Sequence, residues 1–401
     1  MRNRWTVALF LLGTAVASGA DAQQSRADLL RQAREEKQKT LQPHDANAAE
    51  KILGMIERQG VPLITRDRVY LKFGSITTGS GFSLGGGYRS RRLFDRDGVL
   101  DVWGAFSMSS YWAVEGRMRT PSVYDGRLSF ESYGRRHEYP EEDFFGIGPA
   151  SGTRRHAEFN LMMTAAGTQA RIQPKRGVTF GGGVEYLNPI VTPSRTSPLP
   201  PIGSVFDNPS VPGLSSQPDY WKSSGFVDLD WRRPVNARNG GWYRAEVSRY
   251  KGDSGQYSFS RLDVDLRQWV SFFSERRVLF GRAKVSTSDA DTGHTVPFYL
   301  MPTLGGNDSL RGFRDYRFRG PHALLVQGEY RFEIWSGLDA ALFYDAGKVA
   351  LTHSDLNFRD LESDYGVGFR FNTDRGLVLR VDGAFGSRDG KHLWVVFGGT
   401  F

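Results

Sequence analysis

The segment His392-Leu393-Trp394-Val395-Val396-Phe397-Gly398-Gly399-Thr400-Phe401 ends the 401-residue chain, and its period decides how the rest is read. In an extended strand Leu393, Val395, Phe397, Gly399 and Phe401 share one face, and His392, Trp394, Val396, Gly398 and Thr400 share the other. The two segments before it repeat the pattern. Leu379, Val381 and Phe385 oppose Arg380 and Asp382, while Tyr365, Val367, Phe369 and Phe371 oppose Gly366, Gly368, Arg370 and Asn372. One face is greasy and aromatic; the other carries charge and glycine.

The same texture runs back to about residue 68, punctuated by Gly, Asp, Asn and Pro. Sixteen such segments lie near 68–78, 80–91, 99–109, 110–121, 126–137, 157–173, 177–189, 220–232, 241–251, 257–271, 277–288, 323–334, 338–349, 363–372, 376–386 and 392–401. If the first strand starts on the periplasmic side, the long connections (138–156, 190–219, 289–322 and 350–362) all fall outside, while inner ones such as Pro174-Lys175-Arg176 and Trp335-Ser336-Gly337 are mostly short. Bacterial outer-membrane barrels sort their loops in this way; a secreted sandwich has no reason to. A strand facing hydrocarbon must pair all its backbone groups, so the sheet closes and its polar face points into a lumen. Trp112, Tyr220, Trp221, Trp231, Trp242, Trp269 and Trp335 near strand ends suit an interfacial aromatic girdle.

Composition agrees and excludes much else. Glycine supplies 47 residues, aromatics 13%, and the mean hydropathy is −0.43. These values fit many glycine-punctuated strands better than a helix bundle. With no cysteine there is no disulfide framework, thiolate metal site or thiol nucleophile. The +8 charge arises from interleaved 52 basic and 44 acidic residues, so no nucleic-acid partner is indicated.

The N-terminus reads differently. Arg2 and Arg4, the apolar run around Ala8-Leu9-Phe10-Leu11-Leu12 and Ala20-Asp21-Ala22 predict a cleaved signal peptide over 1–22. Residues 23–65 read as a short helical periplasmic extension, either mobile or docked on the strands, with Asn47 and Glu50 as a capping pair and Gly60-Val61-Pro62 as a stop. No later window has the ~20 apolar residues of a membrane helix. The expected fold is therefore all-β, a sixteen-stranded antiparallel transmembrane β-barrel over 66–401, in the bacterial outer membrane.

The most specific stretch lies between the eleventh and twelfth segments, with five strands after it. There Leu310-Arg311-Gly312-Phe313 resembles the R-G-F/Y motif in the sixth extracellular loop of the BamA/TamA superfamily, the bacterial surface antigen barrels. Phe343-Tyr344-Asp345-Ala346-Gly347 resembles that superfamily's F-x-D-x-G motif on the thirteenth strand, and Glu329 matches the acidic position on the twelfth. The C-terminal pattern of Leu393, Val395, Phe397 and Phe401 is similar to the signal recognised by the barrel-assembly machinery. The resemblance covers about residues 68–401 and implies assembly, insertion or translocation of proteins, or of lipids, at the outer membrane. The implied partners are the lipid bilayer and lipopolysaccharide, unfolded barrel or exported protein clients, and a periplasmic partner. The family's assemblers carry POTRA modules of roughly 60 residues or more by element arithmetic. About 45 residues separate Gln23 from the first strand, so no such module is expected.

Alternation also explains the motif chemically. Glu329 shares its face with Gln327, Arg331 and Glu333, and Asp345 lies opposite Leu342 and Tyr344, so both carboxylates face the lumen. A loop folding inward sets the Arg311 guanidinium between them, where its planar fork suits carboxylates, and Gly312 permits close approach. The alternative makes Arg311 one of several solvated loop arginines beside Arg314, Arg317 and Arg319.

No catalytic residue, cofactor or metal is expected. The seven histidines, His44, His137, His156, His294, His322, His353 and His392, show no metal-binding spacing. Gly81-Phe82-Ser83-Leu84-Gly85 matches a nucleophile-elbow string but lies inside a strand with no helix after it. Glu141-Glu142-Asp143 reads as a solvated charge run or, less simply, a cation site. The competing functional reading is a passive or gated porin-like channel, or a structural barrel, because polar-in alternation suits it equally.

Overall fold

The computed structural model describes residues 68–397 apart from 94–97, 125, 195–196, 233–237, 274–275 and 374–375. The expected signal peptide (1–22), the helical extension (23–65), Gly398, Gly399 and Phe401 of the C-terminal signal lie outside the described residues.

All sixteen expected segments are strands of one antiparallel sheet, each paired with its sequence neighbour. In chain order they begin with β1 (Arg68–Gly74), β2 (Ser83–Leu93), β3 (Gly98–Ser107), β4 (Trp112–Arg119), β5 (Leu128–Phe144), β6 (Ala157–Lys175), β7 (Val178–Pro193) and β8 (Tyr220–Asp230). Next come β9 (Gly240–Gly252), β10 (Phe259–Phe272) and β11 (Arg277–Ala290). Two short strands in the next loop, β12 (Thr303–Leu304) and β13 (Phe318–Arg319), pair only with each other. The sheet resumes with β14 (His322–Trp335), β15 (Leu338–Ala350), β16 (Glu362–Thr373), β17 (Gly376–Ser387) and β18 (Gly390–Phe397). No helix among the described residues is long and apolar enough to cross a membrane.

Alternation sorts the side chains as hydrocarbon requires. Leu279, Leu342, Tyr344, Val367, Phe369, Leu393 and Val395 stand on the outer wall, bare of protein. Glu131, Arg282, Glu329, Asp345, Arg370 and Asp382 are buried inside. Such a distribution is unfavourable in water and favourable with lipid outside. Inner charges are paired: Glu131 accepts from Arg117 at 2.6 Å, Arg119 at 2.7 Å and Gln169 at 2.9 Å.

The connections 145–156, 194–219, 291–321 and 351–361 share one end of the barrel, opposite tight turns such as 176–177 and 336–337. Gly177 and Gly337, both at φ +81°, supply the left-handed backbone those two-residue turns need. Strand β5 runs past the expected limit of 137 to Phe144. A bulge between Tyr139 and Glu142 absorbs Pro140, whose missing N–H otherwise reads as a strand end.

At the long-loop end, loop residues pack on strand ends in an apolar cap in which Phe144, Phe159, Ile202, Phe206, Tyr220, Phe259, Val296 and Phe298 are buried together. Of the expected girdle, Trp221, Trp231 and Trp335 lie exposed on the surface, whereas Tyr220 belongs to this cap and Trp269 to an inner cluster with Val278 and Phe280. Proximity to a strand end does not say which side of the strand a ring occupies. Ser83 of the elbow-like string donates to Gly74 O at 2.6 Å, tying β2 to β1.

Loop parity gives a direct check of orientation in this cysteine-free chain. Thr292→Cys should react with an impermeant maleimide on intact cells, and Ser336→Cys only after permeabilisation; the reverse result overturns the orientation.

Candidate functional site

The connection between β11 and β14 turns back into the barrel. Its short hairpin pairs Thr303 with Arg319 and Leu304 with Phe318. Gly305 (φ +116°) and Gly306 (φ +88°) start the tip, where a Cβ on Gly305 would lie 2.2 Å from Arg314 O. Only glycine accommodates that conformation in that space. Leu310 and Phe313 then bury fully against Leu304, Phe318, Leu325 and Val349. The loop's own apolar core thus holds the backbone between them, and Arg311 projects toward the barrel wall.

Arg311 grips Asp345 through two parallel bonds, Nε to Oδ2 at 2.7 Å and Nη2 to Oδ1 at 2.8 Å. Its Nη1 donates to Glu329 at 3.0 Å and reaches Asp382 at 3.4 Å. The guanidinium carbon lies 3.5 Å from the centroid of the Phe343 ring, a stacked cation–π contact. Glu329 is shared, receiving Arg370 at 2.6 Å and Arg331 at 2.5 Å as well. Asp382 binds Arg370 at 2.5 Å and Arg380 at 3.3 Å. Charges of alternating sign in a region shielded from water leave little of one another's field uncompensated.

The glycines of the two motifs, and Gly366 beside them, each have a contact that explains them. A Cβ on Gly312 would come 2.4 Å from Asp364 Cβ, and one on Gly347 would come 2.7 Å from Leu324 O and 3.2 Å from Leu304. Gly366 leaves room for the Phe343 ring, 2.3 Å from where its Cβ would stand. The last two strands join in: Trp394 Nε1 of β18 donates to Arg311 O at 2.6 Å, and Ser387 Oγ at the end of β17 donates to Gly312 O.

The neighbouring arginines are not solvated as the alternative reading supposed, Arg314 excepted. Arg317 donates to Ser151 O at 2.8 Å and pairs with Asp389 at 3.0 Å. Arg319 donates to Glu142 at 2.6 Å and to Phe298 O at 2.9 Å. The acidic run is accordingly divided, with Glu142 buried in that pair and Asp143 against His156 at 2.5 Å.

Sequence reasoning had Arg311, Glu329 and Asp345 but not Phe343, Arg370, Asp382 or Trp394 as their neighbours. Alternation already placed Arg370 and Asp382 on the polar face; which charges meet across the lumen is a matter of register and tilt. Asp315 was also missed. Half-buried in the loop, its carboxyl is pushed up to about 7 by partial loss of solvent and by the charge of Asp143.

The strand count, the tucked loop and this network coincide with two independent likenesses. Residues 235–392, which contain the entire network except Trp394, match the model of the Omp85 superfamily domain. Trp394 stands two residues later. The barrel superimposes on BamA from Haemophilus ducreyi lacking POTRA domains 1–3, with a TM-score of 0.64 and 13% identity over 84% of this chain and 71% of that one. Residues 235–392 thus resemble an Omp85 superfamily domain, and the barrel has a BamA-like fold. CdiB from Escherichia coli is also similar, with a TM-score of 0.55 and 14% identity over 81% of this chain and 60% of that one. No curated protein matches by sequence. At such identity the two structures show the fold, and the Omp85 likeness rests on residues 235–392.

Two outcomes test the site. Glu329 keeps Arg370 and Arg331 when Arg311 is lost, so Arg311→Ala strands Asp345 in particular. The cost should be on the order of 3 kcal/mol, read as a lower urea midpoint and faster proteolysis of the loop. Removing Asp345 as well should recover part of that loss. Asp315 titrates in the opposite sense to a paired carboxylate. Its raised value means the loop is most stable below about pH 4, where both folded and unfolded forms are protonated, and loses that stability as pH rises toward 7. Asp315→Asn should therefore raise the urea midpoint at pH 8 and leave it unchanged at pH 4.

Proposed function

We propose that this barrel inserts or exports proteins at the outer membrane through the edge between β1 and β18, with the tucked loop as the internal brace of that edge. The observation that carries the reading is the hydrogen bond from Trp394, on the last strand, to the backbone of Arg311. It links the loop to the strand at which such a sheet must open. Among the described residues no ladder joins β1 to β18; they approach where a Cβ on Gly74 would stand 3.1 Å from Phe397 O and where Phe82 meets Phe397 edge-on. An edge with few backbone bonds costs less to part than any other seam of the sheet. A client strand adding to that edge satisfies the same peptide groups that hydrocarbon leaves bare.

A porin-like reading is favoured by one feature, a polar chamber of about 300 Å³ inside the barrel, lined by Glu115, Arg117, Arg171, Glu185, Lys222 and Arg244 among others. The loop tucked into the barrel, with Arg311 bonded to the strands, counts against free passage through it.

Locking the edge separates the two. Phe82→Cys with Phe397→Cys, whose native rings meet across the edge, joined by a short cleavable bismaleimide, should reproduce the changes in outer-membrane and secreted proteins that depletion of the chain causes, and cleavage of the crosslink should reverse them. Full complementation by the locked form, with unchanged conductance in planar bilayers, would favour the channel and sink the insertion reading.

A further inference from the structure

Three side chains distant in sequence meet on the outer wall of the barrel, at the end that carries the long loops. Asp289 lies near the end of β11, His322 opens β14, and His353 begins the single turn His353–Asp355 in loop 351–361. Register pairs Thr287 with His322. Alternation then sets Asp289, two residues beyond Thr287, on the same outward face as Leu279 and Val285. On its other side His322 pairs with Ala350, so the chain leaving β15 is already beside it when it delivers His353.

The result is a compact set of donors. One ligand atom from each of Asp289, His322 and His353 lies within 4.8 Å of the others. His353 Nε2 is 2.5 Å from Asp289 Oδ1, and the two imidazole centroids are 4.3 Å apart at 42°. Thr287 Oγ1 stands 2.8 Å from His322 Nδ1 and 3.4 Å from His353 Nδ1.

That hydroxyl is informative. Its oxygen has two lone pairs and lies within reach of Nδ1 of both rings, so it can hold both in the tautomer that turns each Nε2 toward a bound cation, which would then take the place of the proton between His353 Nε2 and Asp289. Metal-ligating histidines are commonly oriented in this way through the nitrogen that does not bind the metal. Two imidazole nitrogens and a carboxylate form a ligand set for a borderline divalent ion such as Zn2+, whereas calcium and magnesium take oxygen. His322 is buried beneath the loop, while the side chains of Asp289 and His353 are 59% exposed, so the set opens to solvent on one side.

We propose that Asp289, His322 and His353 form a Zn2+-class transition-metal site on the outer rim, oriented by Thr287, which fastens loop 351–361 to β11 and β14. An exposed histidine–carboxylate contact by itself holds a loop weakly. A metal bond across the same three residues holds it firmly, and the coordination position left open faces the surroundings of the cell.

The test uses the full chain refolded in detergent micelles, free of any affinity tag, and titrates it with Co2+ as a visible-absorbing stand-in for Zn2+. The expected result is one saturable equivalent with ligand-field absorption, displaced by Zn2+. His353→Ala and Asp289→Asn should each abolish it, and Thr287→Val should weaken it about tenfold. His353 lies in an exposed loop, and retention of the heat-resistant folded band on gels establishes that each variant has folded. His156→Ala removes the second such group among the described residues, Asp143 with His156 and Glu158, and should leave binding unchanged. Zn2+ should also slow cleavage at Arg359 in the native chain but not in His353→Ala. Absence of saturable Co2+ binding in the native chain, or binding that survives both His353→Ala and Asp289→Asn, overturns the site.

Discussion

Hydrocarbon offers no hydrogen-bond partner to a peptide group, and the rest of this structure depends on that constraint. Among the described residues, sixteen neighbour-paired strands leave the sheet without a ladder only between the first and last strands. Once the outer wall must be apolar, period-two alternation sends every second residue inward. The inner wall thereby collects Glu131, Arg282, Glu329, Asp345, Arg370 and Asp382 in a space with little room for water. Charges so placed are tolerable only when paired, and the pairing network is the consequence rather than the cause of the barrel.

The inward loop uses the same physics at both its ends. Its apolar tip, Leu310 and Phe313, makes a small dry core against the wall, and that core sets the direction of Arg311. At its return, Arg317 and Arg319 bind Ser151, Asp389 and Glu142, and Arg319 also reaches the backbone of Phe298 in the cap. One segment therefore joins wall, cap and last strand. Arg319 ties the segment to the cap, and Trp394 ties Arg311 to β18. Such a path transmits a change only if one of its elements has two arrangements, and the edge between β1 and β18 is the element with the fewest backbone bonds to break.

Much of the fold was legible because its signal is local. Period two, turn residues and the parity of the long loops each depend on neighbours in sequence, and they gave sixteen strands with limits mostly within a few residues. Strand β5 escaped because Pro140 and three acids resemble a loop, while a bulge and the buried pair of Glu142 with Arg319 make them strand. The girdle misplaced Tyr220 and Trp269 for a related reason: nearness to a strand end says nothing about which side a ring takes.

By itself the sequence determined the all-β class, the inward face that carries Glu329, Arg370 and Asp382, and the motif around Arg311, because each is written in spacings of two or in contiguous residues. Only the tertiary structure decided which charges share a water-poor neighbourhood. The stacking of Arg311 on Phe343, the sharing of Glu329 among three arginines and the meeting of Asp289 with His322 and His353 depend on strand register and loop path. Those are set by the closure of the whole sheet, in which residues far apart in the chain become neighbours, and no local pattern encodes that distance.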